Sequence, residues 1–200
     1  MNNITAVIFD MGRVLVDIDF EAFPRALGIE WDRRNHAAEK VIERIAMEYE
    51  TGRIDTVQFF VSLEETFEGK YSRKELMNAW NAIIREENPA MIPIVEALQA
   101  RYLTAVLSNT NPAHFQKSCN TTSILKKFSK FYLSFQIGAT KPDPAVYQYV
   151  IRDLSVEPTS LLFIDDIAEN ITAAEKCGLK GIVFKSISRL QTELHLRQVL

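Results

Sequence analysis

The sequence is poor in the features that mark several large protein classes. It has two cysteines in 200 residues, Cys119 and Cys177. Two are too few for a disulfide framework, and neither has a second Cys or a His at metal-ligand spacing. They read as reduced thiols of a cytosolic protein. No apolar run approaches the about 20 residues needed to cross a bilayer. Met1-Asn2-Asn3 leads straight into a strand-like run with no signal-peptide pattern, so a cytoplasmic protein without a membrane partner is expected. Basic charge is not in excess: 23 Lys and Arg stand against 26 Asp and Glu, a net charge of −3. With no dense Lys/Arg run either, a nucleic-acid partner held through a basic surface is disfavoured. Seven glycines and seven prolines are thinly spread, so no Gly/Ser linker, low-complexity tract or repeat divides the chain. The remainder is ordinary for a globular protein, 47% hydrophobic and 24% charged. Its length suits one core domain with at most one inserted subdomain.

Five short apolar runs, at 4–9, 103–107, 131–135, 161–164 and 181–184, read as strands. They are continuous more than alternating, as in parallel strands covered on both faces. Helical stretches separate most of them. Residues 113–128 follow Asn111-Pro112, and 145–154 follow Asp143-Pro144, each an N-cap with Pro at the first helical position. Residues 167–177 end at Gly178, a C-terminal cap. The alternation predicts an α/β fold, an open, mostly parallel Rossmann-like sheet with helices on both faces. One segment interrupts it. From 17 to 87 no convincing strand is found, and apolar residues recur at helical spacing, as in Val41, Ile42, Ile45 and Tyr49, then Phe60, Leu63 and Phe67, then Leu76, Trp80 and Ile83. The predicted organisation is an α/β core of residues 1–16 and 88–200 with an α-helical insert at 17–87. Such an insert leaves and returns beside the carboxyl end of the first strand. Open α/β sheets bind ligands at that edge, so the insert is placed to act as a lid.

Chemistry-bearing residues follow the strands. The first strand runs into Asp10-Met11-Gly12-Arg13, the second into Ser108-Asn109, the fourth into Asp165-Asp166. If the first and fourth strands are neighbours, three carboxylates converge at one edge. Unpaired, they would raise one another's pKa values. A bound cation removes the difficulty, and hard oxygen ligands suit Mg²⁺. Ser108 can donate to an anionic oxygen. Lys141, in Thr140-Lys141-Pro142-Asp143-Pro144, places a positive charge beside a helix start, a favourable site for phosphate. Singly, each has a plainer reading as a turn, cap or surface residue; their joint order along the chain overturns it.

These residues resemble the haloacid dehalogenase superfamily of hydrolases. Phe9-Asp10-Met11-Gly12-Arg13-Val14-Leu15 is similar to its first motif, Ser108 to the second, Lys141 to the third and Asp165-Asp166 to the fourth. The resemblance covers nearly the whole chain, and the helical insert corresponds to the family's small α-helical cap. Gly12, Val16-Asp17-Ile18-Asp19-Phe20 and Ser108-Asn109-Thr110-Asn111 most resemble a bacterial sugar-phosphate phosphatase subgroup of the α-D-glucose-1-phosphate phosphatase type. The resemblance implies a Mg²⁺-dependent phosphatase acting on a small phosphorylated metabolite, such as glucose 1-phosphate, through an aspartyl-phosphate on Asp10. It implies catalytic Asp10, Lys141 and Ser108, and substrate contacts from Ser108, Asn109, Lys141, Met11, Gly12 and Arg13, with backbone N–H groups near Met11 and Asn109 completing a cradle. It implies metal ligands from Asp10, the Gly12 carbonyl and Asp166, with Asp165 orienting the metal shell or Lys141; which of the acidic pair does which stays open. Lys141→Ala is expected to cost activity without stability. A monomer or weak homo-oligomer is expected.

One departure matters. Most phosphatases of this superfamily carry a second Asp two positions after the nucleophile, as general acid and base. Here Gly12 occupies that position, and glycine cannot transfer a proton. An anomeric phosphate, with its better leaving group, should then be preferred over a 6-phosphate unless another residue, such as Asp17 or Asp19, supplies the proton. Gly12 also keeps two alternatives in play, a 2-haloacid dehalogenase-type hydrolase and a degenerate phosphoryl-binding module. Arg13 contacts phosphate or substrate, or pairs with an acid of the insert such as Glu48. Arg44, Glu48 and Tyr49 lie about one helical turn apart, a spacing shared by an exposed face and by one that reads a sugar hydroxyl. His36, His114 and His195 read as surface or capping residues, and Trp31, Trp80, Phe59 and Phe60 as packing within the insert.

Overall fold

The computed structural model describes residues 3–30 and 36–200. Trp31 and the side chain of His36 lie outside the described residues. Five strands, β1 (Ala6–Phe9), β4 (Leu103–Ser108), β5 (Phe131–Leu133), β6 (Leu161–Asp165) and β7 (Lys180–Val183), form one sheet in the order β5-β4-β1-β6-β7. All four pairings are parallel. Alternate residues of each strand serve opposite faces. Val7, Phe9, Val106, Leu162 and Ile164 enter one apolar layer; Ala6, Ile8, Ala105, Leu107, Leu161 and Phe163 enter the other. Burial on both faces is why the strands read as unbroken apolar runs. Register then places the chemistry. Phe9 lies beside Val106 and Ile164, so Asp10, Ser108 and Asp165 emerge together at the carboxyl edge. From the central β1 the chain moves to β4 and β5 on one side and to β6 and β7 on the other, a topological switch point with its ligand crevice at that edge.

The crossovers supply α5 (Ile92–Gln99), α6 (Pro112–Thr121), α7 (Ser134–Ile137), α8 (Pro144–Leu154) and α9 (Ala168–Lys176), and α10 (Ile187–Leu196) follows the last strand. Two of these differ from the sequence reading. α6 ends at Thr121 rather than near 128, because the Glu87 carboxylate holds the backbone N–H groups of Ser123 and Ile124, both at 2.7 Å, and draws the chain out of the helix. The run at 131–135 is strand only to Leu133. Ser134 begins α7 and ties its hydroxyl to both backbone groups of Thr110 at 2.9 Å.

Between β1 and α5 stand α1 (Ala22–Ala26), α2 (His36–Glu50), α3 (Thr56–Thr66) and α4 (Arg73–Asn81). Phe23, Ile45, Phe59, Leu63, Leu76 and Trp80 give them a core of their own. Capping boxes start two of these helices, Asp55 with Gln58 and Ser72 with Glu75; in each, side chains satisfy two otherwise orphaned N–H groups. The segment is not strand-free, as the sequence suggested. β2 (Val16–Ile18) and β3 (Ile84–Glu87) pair antiparallel where the chain leaves and re-enters the core. Runs of three and four residues with little burial outside Val16 and Ile84 are too short to establish a period. Among the described residues, no helix is long and apolar enough to cross a membrane.

Candidate active site

Lys141 is the centre of the site. Its side chain is 2% exposed, and Nζ donates to Asp10 Oδ1 and Asp165 Oδ2, both at 2.7 Å, and to the Leu107 carbonyl at 3.2 Å. An ammonium has three protons, and all three are used. Burial works against the charged lysine, but the carboxylates of Asp10 and Asp165 outweigh it and hold the ammonium above its ordinary pKa. Asn109 sets the lysine's place: its side-chain amide accepts from Lys141 N at 2.8 Å and donates to Lys141 O at 2.9 Å. Lys141 is thus fastened to the end of β4. It is a buried ion-pair partner, not a solvated lysine, which overturns the expectation that Ala could replace it without loss of stability.

Asp10 is buried, and Oδ1 also accepts from Met11 N at 2.7 Å. That N–H, expected to cradle substrate, is spent on Asp10 itself. Among the described residues no hydrogen bond reaches Oδ2, and Asp10 lines a cavity at this edge of the sheet. Burial raises the Asp10 carboxyl; the Lys141 charge opposes this and the Asp165 charge adds to it. Asp165 has no free oxygen: Oδ1 accepts from Ile167 N and Asn170, and Oδ2 from Lys141 and Asn170. Asn170, on the first turn of α9, stands in the stretch after Asp165-Asp166 that resembles the family, but the sequence assigns it no role, since its spacing does not show that it reaches back to Asp165. Asp166 is raised by burial and by Asp165, against the pull of Arg13.

The carboxylates of Asp10, Asp165 and Asp166 each offer an oxygen within 4.8 Å of the others. This all-oxygen set fits a hard divalent cation. Because Asp165 is saturated, the oxygens open to such an ion belong to Asp10 and Asp166. Arg13 lies 3.7 Å from Asp166 and 5.7 Å from the Phe20 ring centre. It does not pair with Glu48, which binds Arg44 at 2.9 Å on an exposed face. Tyr49 points inward, fully buried. His114 is neither surface nor cap. It is buried, its ring stacks on Trp80 at 4.8 Å, and its two nitrogens meet Asn111 and the Trp80 carbonyl. Burial pushes it down to about 4, so it is neutral.

Asp10, Met11, Gly12, Arg13, Ser108, Asn109, Lys141 and Asp166 all line one cavity of about 250 Å³. Its outer wall is apolar, from Ile18, Phe20, Ile83, Ile84 and Ile167, and Glu50 reaches it from the end of α2. The Ser108 hydroxyl makes only a 3.4 Å contact to the Asn109 carbonyl, so it remains available. A larger hollow lies among α2, α3 and the loop after α1, away from the carboxylates.

Residues 4–178 match the family model described as haloacid dehalogenase-like hydrolase. The chain belongs to this family. It is 30% identical over 183 residues to the D-ribitol-5-phosphate phosphatase of Bacteroides thetaiotaomicron, covering 87% of this chain and 88% of that one. It is also 30% identical over 189 residues to Phosphatase MT3486 of Mycobacterium tuberculosis, covering 90% and 86%. A HAD family enzyme of B. thetaiotaomicron, solved with magnesium and inorganic phosphate, superposes with a TM-score of 0.80 at 24% identity, covering 94% and 98%; this likeness is one of fold. As a haloacid dehalogenase-like hydrolase, the chain keeps the family's α/β core with its parallel five-stranded sheet.

Proposed function

We propose that this hydrolase is a phosphatase of small sugar or polyol phosphates, with Asp10 as nucleophile and Mg²⁺ as cofactor. One observation carries the reading: a buried carboxylate that lines a small cavity shares an ammonium with a second, saturated carboxylate. Asp10 Oδ2 attacks phosphorus, the ester oxygen departs, and water then releases phosphate from the acyl phosphate. Splitting one displacement into two lowers each barrier. Ser108 donates to a non-bridging phosphoryl oxygen, and the Lys141 charge offsets the one that accumulates during attack. Asp165 and Asn170 keep Lys141 and each other in place. Mg²⁺ at Asp10, Asp166 and the Gly12 carbonyl would supply further charge neutralisation for a dianionic ester. A small substrate fits the cavity volume. The named activity of the ribitol-phosphate relative and the sequence resemblance to glucose-1-phosphate phosphatases both point to a polyhydroxylated ester. A 2-haloacid dehalogenase would share Asp10 but leave Asp166 without a role.

Phosphate release from a panel of sugar and polyol phosphates, including glucose 1-phosphate and ribitol 5-phosphate, tests the reading. Turnover should require divalent cation, stop with chelator, and vanish in Asp10→Asn with the fold intact. Chelator-resistant release of halide from a 2-haloacid, or no ester turned over, would overturn it.

A further inference from the structure

Gly12 leaves the phosphatase reading without a proton carrier at the usual position. The structure narrows where one can come from. Asp17 is exposed, Asp19 is tied to Arg25 at 2.8 Å, and neither lines the cavity. His114 lines it, but both ring nitrogens are engaged. Asp165 is saturated, and Asp166 belongs with Asp10 to the cation's oxygen set. Glu50 remains. It is the last residue of α2, it lines the same cavity as Asp10, and among the described residues no hydrogen bond or ion pair engages its carboxyl.

Its position is fixed from both sides. The preceding Tyr49 is fully buried, and its hydroxyl accepts from Ala113 N, near the start of α6, at 3.1 Å. Two residues on, Gly52 turns the chain at φ +68° with its α-carbon against the Phe135 carbonyl, where any Cβ would overlap the oxygen. The insert is therefore anchored to the core immediately around Glu50, which is held over the crevice rather than left on a mobile arm.

We propose that Glu50 is the proton carrier of this site, donating to the departing alcohol oxygen and then accepting a proton from the attacking water. In the first step the Asp10 Oδ2–P bond forms and the ester P–O bond breaks; the Glu50 proton goes to the leaving oxygen, giving the alcohol. In the second, water oxygen bonds to phosphorus as the Asp10 O–P bond breaks, and the proton lost by water returns to Glu50. The sum is ester plus water to alcohol plus phosphate. Burial alone pushes the Glu50 carboxyl up to about 7, so both protonation states are populated near neutrality, as a group working in both directions requires.

The inference rests on the phosphatase reading, and leaving-group dependence separates the two. For alkyl esters such as ribitol 5-phosphate and glucose 6-phosphate, Glu50→Gln should lower kcat/KM by roughly 10²–10³, within the span of general acid catalysis. For p-nitrophenyl phosphate, whose leaving group departs as an anion, kcat/KM should fall less than about tenfold on the same basis. Loss of the base should also slow hydrolysis of the acyl phosphate, so rapid mixing of Glu50→Gln with the aryl ester should give a burst of nitrophenol followed by a slow steady state. Glu50→Asp, which keeps a proton but withdraws it by one methylene, should lie between the two. Preference for an anomeric over a 6-phosphate would then be strongest in Glu50→Gln. Equal losses on alkyl and aryl esters, or none on either, would overturn the proposal while leaving the phosphatase reading standing. Full activity in Asp10→Asn, or a wild-type enzyme inactive on every ester, would overturn both.

Discussion

Replacing Lys141 by Met removes a charge while keeping most of the side chain's bulk, and the structure makes this a severe change. The ammonium is buried and serves two carboxylates and a carbonyl. Removing one partner of a buried ion pair costs about 3–5 kcal/mol, because the other charge stays behind uncompensated. Here two carboxylates stay behind, so the upper part of that range applies. For a chain of this size, each kcal/mol moves Tm by roughly 2–4 °C, so a fall on the order of 10–20 °C is expected. Urea unfolding in chelator at pH 7.5 should show a lower midpoint with an unchanged m-value. The deficit should depend on pH in a defined direction. Without Lys141, the folded Asp10 carboxyl rises further above its unfolded value of 3.8. A carboxyl raised in the folded state loses stability as pH climbs from the unfolded toward the folded pKa. Wild-type Asp10 is already raised to about 6, so the two proteins diverge only above that value, and the deficit should grow as pH rises through about 6 and be smaller at pH 5 than at 7.5. Magnesium should recover more stability in the variant than in wild type, by linkage to a cation replacing lost positive charge. A deficit below about 1 kcal/mol at pH 7.5, against the range for buried pairs, or one unchanged between the two pH values, would refute this account.

Two further outcomes are expected. Glu50 rises on folding from 4.5 to about 7 through burial, with no neighbouring charge contributing. Wild type should lose up to about 3 kcal/mol between those pH values, at about 1.4 kcal/mol per tenfold change in proton affinity. Glu50→Gln should escape that loss, and a stability difference that stays flat from pH 4.5 to 8 would count against it. Gly52→Ala combines a positive φ with overlap on Phe135 O. It should cost at least about 1–2 kcal/mol from the backbone conformation alone and reduce turnover with Glu50 displaced; a thermal melt and an activity assay matching wild type would refute the anchoring.

The sheet was legible because burial on both faces leaves unbroken apolar runs, and the acidic pair at the end of β6 was legible because it stands in order with Asp10, Ser108 and Lys141 along the chain. β2 and β3 were not, since three or four half-exposed residues establish no period. The end of α6 was missed because Glu87, far away in sequence, decides it. The largest difference concerns Lys141, Asn109 and Asn170. Their types gave no sign that the first is buried, the second clasps its backbone and the third saturates Asp165; these are facts of juxtaposition. Glu50 was hidden for the same reason. At the end of a helix of mixed composition it looks like any solvated glutamate, and only the folded chain shows that it lines the same cavity as Asp10.

α7 has four residues and none of them lines that cavity. Yet Ser134 fastens the Thr110 backbone beyond β4, and Phe135 offers the carbonyl on which Gly52 sits. One short element is thus a common footing for the end of β4 and the loop beyond it, with Ser108 and Asn109, and for the turn that follows Glu50. In a genetic screen for lost activity, substitutions at 134 and 135 would score beside true active-site changes, although no substrate touches them. Natural variants would be expected to alter these two positions only together with compensating changes at 52 or 110, so that a few residues of inconspicuous loop drift more slowly than the exposed helices around them.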